Sequence, residues 1–299
     1  MLHVVLKIVF LPVRLMPRRL ELVFGELLGW VLYHVVRFKR NNVRRNLLMA
    51  YETELRDGRM ALNEIKKIER ENYSHYGRLV FEILHIPFDA SRFAKKNVKV
   101  HNVEHLKNAI SKKKGVFFLT AHTGYWEIMG VMGMKYDIPL NIITKYLRIK
   151  FFDDIWVKSR ESYGIKLIDE VRSARSVLKA LHNGEVVGMV LDQFMGPPIG
   201  ERILFFGKPA WTISSLAWFV QKTGAAVVPV VNYRKKDGTF DLVLYPEIDF
   251  EKVGSDDMNV KHNTQRYSDV VEGFVRKCPE QWIWVHRRWK RVKEDDQNI

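Results

Sequence analysis

Apolar and polar positions along this chain follow two different periods. Between Leu62 and Leu84, the residues Ile65, Ile68, Tyr76, Leu79, Val80 and Ile83 recur near helical spacing, and the pattern predicts one long helix ended by Pro87. Short apolar runs of β type follow at Val116–Thr120, Leu140–Thr144, Ile165–Ile168, Val186–Leu191, Ala226–Asn232 and Phe240–Leu244. Short apolar strands alternating with helices predict a sheet covered on both faces. Helical patterns at Tyr125–Tyr136, Phe151–Tyr163, Ala174–His182 and Ser214–Lys222 separate most of them, and Asn259–Lys277 predicts a closing amphipathic helix. The expectation is an α/β fold with a mixed, mostly parallel central sheet flanked by helices. Lys235-Lys236-Asp237-Gly238 reads as a hairpin turn, which supplies the antiparallel part. No internal repeat or low-complexity segment interrupts the pattern.

The first forty residues depart from it. Leu2–Val13 is apolar but broken by Lys7 and Pro12, and Leu22–Val36 carries Glu26 and His34. Neither reaches the roughly 20 uninterrupted apolar residues of a spanning helix. Arg14, Arg18 and Arg19 lie between them, and Arg37, Lys39, Arg40, Arg44 and Arg45 follow. Apolar stretches edged by cations predict segments that lie in, or dip into, the cytoplasmic face of a bilayer. The competing reading makes Leu22–Val36 an ordinary core helix. No small-residue cleavage site follows the first apolar stretch, which argues against a signal peptide. The expected division is a membrane-associated helical arm over residues 1–45 and one larger domain over 46–299.

Composition sharpens the choice of partner. The chain has 299 residues with 49 Lys and Arg against 34 Asp and Glu, a formal charge of +15, so an acidic partner or surface is expected. Zinc-finger spacing, RNA-recognition signatures and a leucine zipper are absent from the sequence, and the cations lie among apolar segments. Anionic lipid therefore fits better than nucleic acid. The lone Cys278 excludes an internal disulfide and predicts a packing role.

Candidate chemistry begins at His122-Thr123-Gly124-Tyr125-Trp126-Glu127, directly after the apolar run that ends at Ala121. On one continuous helix His122 and Glu127 would point well apart. If His122 precedes the helix and Gly124 makes the turn, the carboxylate can orient the imidazole and raise its basicity, as for a general base. The strand end adds weight, since ligands of open α/β sheets bind beyond the carboxyl ends of the strands. Asp192 follows Val186–Leu191 and is either a second carboxylate in that crevice or a turn-capping residue. His101 and His105 are four apart, but no H-E-x-x-H accompanies them, and Gly130 and Gly133 complete no G-x-G-x-x-G. No metal and no cofactor is expected.

The H-x-x-x-x-E block resembles the first block of the glycerolipid and lysophospholipid acyltransferase superfamily. Further motifs narrow the likeness: Leu11-Pro12, Arg44-Arg45-Asn46-Leu47, Leu191-Asp192-Gln193, Phe205-Phe206-Gly207-Lys208-Pro209-Ala210-Trp211-Thr212, Thr223-Gly224-Ala225 before Val227-Val228-Pro229, and Gln281 to Lys290. Together, over nearly the whole chain, they resemble the late acyltransferases of lipid A biosynthesis. Asp192-Gln193 stands where a glycerol-phosphate acyltransferase would carry a P-E-G-T-R type block, which argues against glycerolipid substrates.

The resemblance implies that residues 46–299 form an acyltransferase domain. It implies acyl transfer from an acyl-thioester, with acyl carrier protein as donor, to a hydroxyl of an anionic lipid A precursor at the cytoplasmic face of the bacterial inner membrane. The chain would be peripheral there or anchored by its N-terminal arm. His122 and Glu127 would be the catalytic pair. Arg160 matches the arginine of the family's second block, and with Asp192 it would bind an acceptor phosphate or stabilise the oxyanion, helped by backbone amides near Gly124. A solvated helix arginine is the alternative for Arg160. Phe205, Phe206 and Trp211 either line the acyl groove or belong to the core. Trp282, Trp284 and Trp289 are expected to pack, and His286, Arg287, Arg288 and Lys290 to face phosphates or headgroups. With no G-x-S-x-G and its cysteine far from the motif, the chain gives no support to an acyl-enzyme. Two rivals stay open: acylation of another glycolipid or a lysophospholipid from acyl-coenzyme A, and a non-catalytic peripheral lipid-binding protein.

Overall fold

The computed structural model describes residues 11–85, 90–144, 150–171 and 173–290. Most of Leu2–Val13, with Lys7, and the helix stop at Pro87 lie outside them. Strands β1 (Val98–His101), β2 (Val116–Thr120), β3 (Leu140–Thr144), β4 (Lys166–Asp169), β5 (Val186–Val190), β8 (Ala226–Arg234) and β9 (Phe240–Leu244) form one sheet in the order β1-β9-β8-β2-β5-β3-β4. Every pairing in it is parallel except β8 with β9, which meet antiparallel across the Lys235–Gly238 turn. The expected mixed, mostly parallel sheet is present.

Burial explains why the central strands lack alternation. Phe117 and Leu119 point into one apolar cluster with Val187, Met189 and Val227. Val116 and Phe118 point into another with Val186 and Val228 on the opposite face. All five residues of β2 are buried, because helices cover both sides of the sheet.

Two local features differ from the sequence reading. Tyr125–Tyr136 is not one helix: a 3-10 turn at Trp126–Met129 leads into a short α-helix at Gly130–Tyr136. Glu127 therefore sits in the tighter turn. The Phe205–Thr212 motif is the heart of a separate hairpin, β6 (Gly200–Phe205) with β7 (Lys208–Ile213). Its two connecting residues, Phe206 and Gly207, both have positive φ (54° and 66°), the backbone of a two-residue hairpin turn.

The N-terminal part is docked on the domain. Helix Arg18–His34 lies against Leu62–His85 so closely that a Cβ on Gly77 would fall 1.9 Å from the carbonyl oxygen of Gly25. Only glycine permits that approach. Arg18 and Glu21 join a buried ion network through Glu82 to Arg234, and Arg234 also contacts His75. The opposite face of the helix is apolar and exposed through Leu20, Val23, Phe24, Leu27 and Trp30. The expected boundary at residue 45 falls inside helix Arg40–Ala50. Among the described residues no helix is long and apolar enough to cross a membrane.

Candidate active site

His122 and Asp192 meet because of strand register. In the parallel pair β2 and β5, Thr120 stands opposite Val190, and each strand runs two residues further to reach His122 and Asp192. His122 Nδ1 lies 2.8 Å from Asp192 Oδ1, and the His122 backbone N–H donates to Asp192 Oδ2 at 2.7 Å. The same oxygen accepts from the indole N–H of Trp282 at 2.7 Å. Asp192 is buried, while the His122 side chain keeps 18% of its surface exposed. With Nδ1–H donated to Asp192, Nε2 is left as the basic nitrogen.

The electrostatics reinforce this. Burial acts to raise the Asp192 pKa, but the charge of His122 and the three hydrogen bonds outweigh it and bring the carboxyl down to about 2. Burial acts to lower the His122 pKa, but the charge and hydrogen bond of Asp192, with a weaker contribution from Glu127, leave it raised above its ordinary value. Arg160 opposes that rise.

Glu127 is a correction. The expected tether from its carboxylate to His122 does not form: among the described residues no hydrogen bond joins the two, and Glu127 acts on the imidazole only through its field. Its carboxylate is gripped by Arg160, with Nε donating to Oε2 at 2.9 Å and a terminal nitrogen to Oε1 at 2.8 Å. Trp126 Nε1–H donates to Oε1 at 3.1 Å. Arg160 also donates to Thr144 Oγ1 at 2.6 Å, at the carboxyl end of β3. The physical reason is the 3-10 turn, which carries the carboxylate away from the strand end and towards helix Lys150–Ser162. With three of its N–H groups engaged, Arg160 is an internal clamp rather than a solvated helix arginine.

The backbone amides expected to serve as oxyanion donors are also occupied. Gly124 N–H donates to the Gln281 carbonyl at 3.0 Å, and Tyr125 N–H to Asn232 Oδ1 at 2.8 Å. Gly124 has φ +56°, and a Cβ there would fall 2.3 Å from Asn232 Oδ1, so the turn needs glycine. The carboxamide nitrogen of Gln193 lies beside the imidazole, 3.3 Å from His122 Nε2 and 3.4 Å from Nδ1. Trp126 meets the His122 ring edge-on, with centroids 5.1 Å apart, and the His286 ring lies 6.0 Å away. Burial first, then the charge of His122, holds the His286 pKa down.

The aromatic motif residues divide. Phe205 and Phe206 are buried and packed on Trp282, Trp284 and Trp289, whereas Trp211 is partly exposed. Trp282 does more than pack, since it holds Asp192. Arg288, expected to face phosphates, is fully buried instead. It donates to the carbonyls of Gln193 (3.1 Å) and Trp211 (2.8 Å) and to Thr212 Oγ1, fixing the loop after β5 on the β6–β7 hairpin. Burial lowers its pKa to about 10, partly offset by Asp192.

Four amides without an obvious sequence signal hold this frame. Asn232 stays on the Thr123–Tyr125 turn. Gln281 exchanges two hydrogen bonds with the Arg234 backbone (2.7 and 2.9 Å). Asn72 Nδ2 donates to the Glu280 and Trp282 carbonyls, and Asn46 Nδ2 to those of Trp284 and His286, all at 2.7 or 2.8 Å. A polar residue ending an apolar strand was the available hint for Asn232. For Asn46 it was its place in Arg44-Arg45-Asn46-Leu47.

A histidine tied through Nδ1 to a buried aspartate at the carboxyl end of a central strand keeps Nε2 free to accept a proton, an arrangement that acyl transfer to a hydroxyl can use. The profile of the bacterial lipid A biosynthesis acyltransferases matches residues 2–291. The chain belongs to that family and is an acyltransferase. It is 20% identical over 295 residues to a lipid A biosynthesis acyltransferase of Haemophilus influenzae, covering 98% of this chain and 87% of the relative. It is 23% identical over 270 residues to the lipid A biosynthesis lauroyltransferase of Escherichia coli K12, covering 89% and 84%. A phosphatidylinositol mannoside acyltransferase of Mycolicibacterium smegmatis is 22% identical over 225 residues, covering 74% and 71%.

Proposed function

We propose that this protein transfers a fatty acyl chain from the thioester of an acyl carrier protein to a hydroxyl of a lipid A precursor, without an acyl-enzyme. The observation that carries the reading is the His122–Asp192 pair, with Nε2 directed away from its carboxylate partner. Nε2 takes the hydroxyl proton as the oxygen attacks the thioester carbonyl, forming a tetrahedral oxyanion. Collapse breaks the carbon–sulfur bond, and the thiolate recovers the proton from the imidazolium. The ester oxygen and the freed thiol complete the balance. Asp192 and Trp282 are positioning residues, and Gln193 Nε2–H is placed to donate to the oxyanion. Glu127 and Arg160 fix the turn beside the base and contribute field rather than contact. Trp211 borders the acyl chain, with Phe205 and Phe206 behind it.

Attachment to the cytoplasmic face of the inner membrane is supported by the exposed apolar face of helix Arg18–His34 and the cations that follow it. The phosphatidylinositol mannoside relative keeps another glycolipid acceptor open as a second reading. The test is mass spectrometry of lipid A from cells with and without the protein, combined with transfer of a radiolabelled acyl group by the purified chain. Loss of one acyl chain from lipid A is expected. An unchanged lipid A profile together with no transfer from acyl carrier protein would refute the proposal.

A further inference from the structure

The segment that leaves helix Arg18–His34 is unusual in its backbone. Arg37 and Lys39 both have left-handed φ, 53° and 46°. Long side chains rarely adopt this conformation, and two such residues flanking Phe38 carry a conformational cost. At this segment lies a cleft of about 480 Å³ lined by Arg37, Lys39, Arg40, Asn41, Asn42 and Arg44. Its lining is rich in hydrogen-bond donors and holds no carboxylate. The carboxylate behind it, Glu69, is fully buried and already shared between Arg40 (3.4 Å) and Arg44 (3.0 Å). Among the described residues neither Arg37 nor Lys39 pairs with an acid, so the cleft keeps an excess of positive charge.

Its position ties it to the reaction centre. The same helix, Arg40–Ala50, carries Asn46, which donates to the His286 carbonyl at 2.7 Å, and the His286 ring lies 6.0 Å from that of His122. The charge of Lys39 reaches His286 and adds to the lowering of its pKa. On the other side Val35, Val36 and Phe38 are exposed, at 65%, 58% and 43%. A cationic cleft next in sequence to exposed apolar side chains, on the helix whose Asn46 holds the His286 carbonyl, has the chemistry to seat an amphiphile bearing a phosphate. Arginine forks and amide N–H groups match phosphate oxygens, and the rim takes the hydrocarbon. Arg160 and Arg288, two of the sequence-based candidates for phosphate, are consumed inside the protein.

We infer that the Arg37–Arg44 cleft binds a phosphate carried by the lipid acceptor and so sets which hydroxyl reaches His122. This assignment rests on the acyl-transfer reading above. Acceptors with and without their phosphate should be compared in wild type and in the exposed double variant R37A/K39A, with K113A/K114A at the opposite end of the sheet as a charge-matched control. Wild type is expected to prefer the phosphorylated acceptor. The double variant should lose at least about tenfold of that preference in kcat/KM, through KM, while the control keeps it. An unchanged preference in R37A/K39A, or an equal loss in the control, would overturn the inference and leave the transfer reading standing.

If wild type transfers to neither acceptor, the transfer reading falls, and the cleft is then judged by binding alone. Vesicles containing phosphatidic acid should bind wild type at least about tenfold more tightly than R37A/K39A, the loss expected for phosphate contacts. Equal binding would refute the cleft. Equal competition by inorganic phosphate and by phosphatidic acid would assign the cleft to a free anion and refute the lipid-borne phosphate.

Discussion

The carboxylate that holds His122 belongs to Asp192, 70 residues downstream, and not to Glu127 five residues away. Asp192 takes both the ring Nδ1–H and the backbone N–H of the same histidine, so tautomer and ring direction are set together.

Asp192→Asn should therefore be more damaging to the chemical step than any change at Glu127. A fall in kcat of roughly 10²- to 10⁴-fold is expected, the usual contribution of a positioned acid–base group. The pH profile separates positioning from simple loss of structure. In wild type the rise of kcat/KM, as His122 loses its proton, should be centred above pH 6.5, because Asp192 raises the imidazole pKa. In the variant burial dominates and the midpoint should move to lower pH. An unmoved midpoint would detach Asp192 from the base.

The same pair should leave a signature in stability. Asp192 has a folded pKa of about 2, below its ordinary carboxylate value, so its contribution is complete above about pH 4 and is lost as pH falls towards 2. His122 is shifted upward, so its contribution is complete below its ordinary pKa, near 6.5, and is lost as pH rises through the higher folded value. Urea unfolding of wild type minus Asp192→Asn should thus show the greatest difference between about pH 4 and 6.5. A difference that does not vary with pH would contradict the coupling.

Glu127→Ala should act mainly on the fold around the site. It leaves Arg160, 11% exposed, without its carboxylate, and removal of one partner of a buried pair typically costs about 3 kcal/mol or more. Urea unfolding should show that loss, and the double change E127A/R160M should recover much of it. If the double variant is as unstable as the single one, the unpaired charge is not the cause.

The exposed face of helix Arg18–His34 predicts a membrane effect separable from catalysis. Replacing Leu27 and Trp30, 55% and 54% exposed, by Ser should weaken flotation with anionic vesicles by about tenfold or more, given the apolar area each side chain buries. Soluble short-chain substrates should still turn over. Undiminished flotation would move the contact elsewhere.

Much of this architecture was legible in the sequence because it is local. The runs at Val116–Thr120, Leu140–Thr144 and Phe240–Leu244 became strands with those bounds, since short, mainly apolar runs of this kind leave few alternatives. His122 and Asp192 were both visible as polar groups at strand ends. Their pairing was not, because it depends on β5 lying beside β2 in the sheet, and strand order is a property of the whole topology. The contact expected between Glu127 and His122 does not form because the direction of Glu127 depends on a 3-10 turn rather than an α-helical one. The roles of Asn46, Asn72, Asn232 and Gln281 were hidden for a related reason: an amide that serves distant backbone carbonyls looks ordinary in its own segment. Arg288 shows the same limit, since a cation in a basic tail reads as surface until its burial is known.

The most direct measurement is acyl transfer from a labelled acyl carrier protein thioester to a lipid A precursor by His122→Ala, with folding checked by circular dichroism and urea unfolding. His122 as the general base requires a loss of roughly 10²- to 10⁴-fold in kcat with the fold retained. Near-wild-type transfer by the folded variant would contradict it.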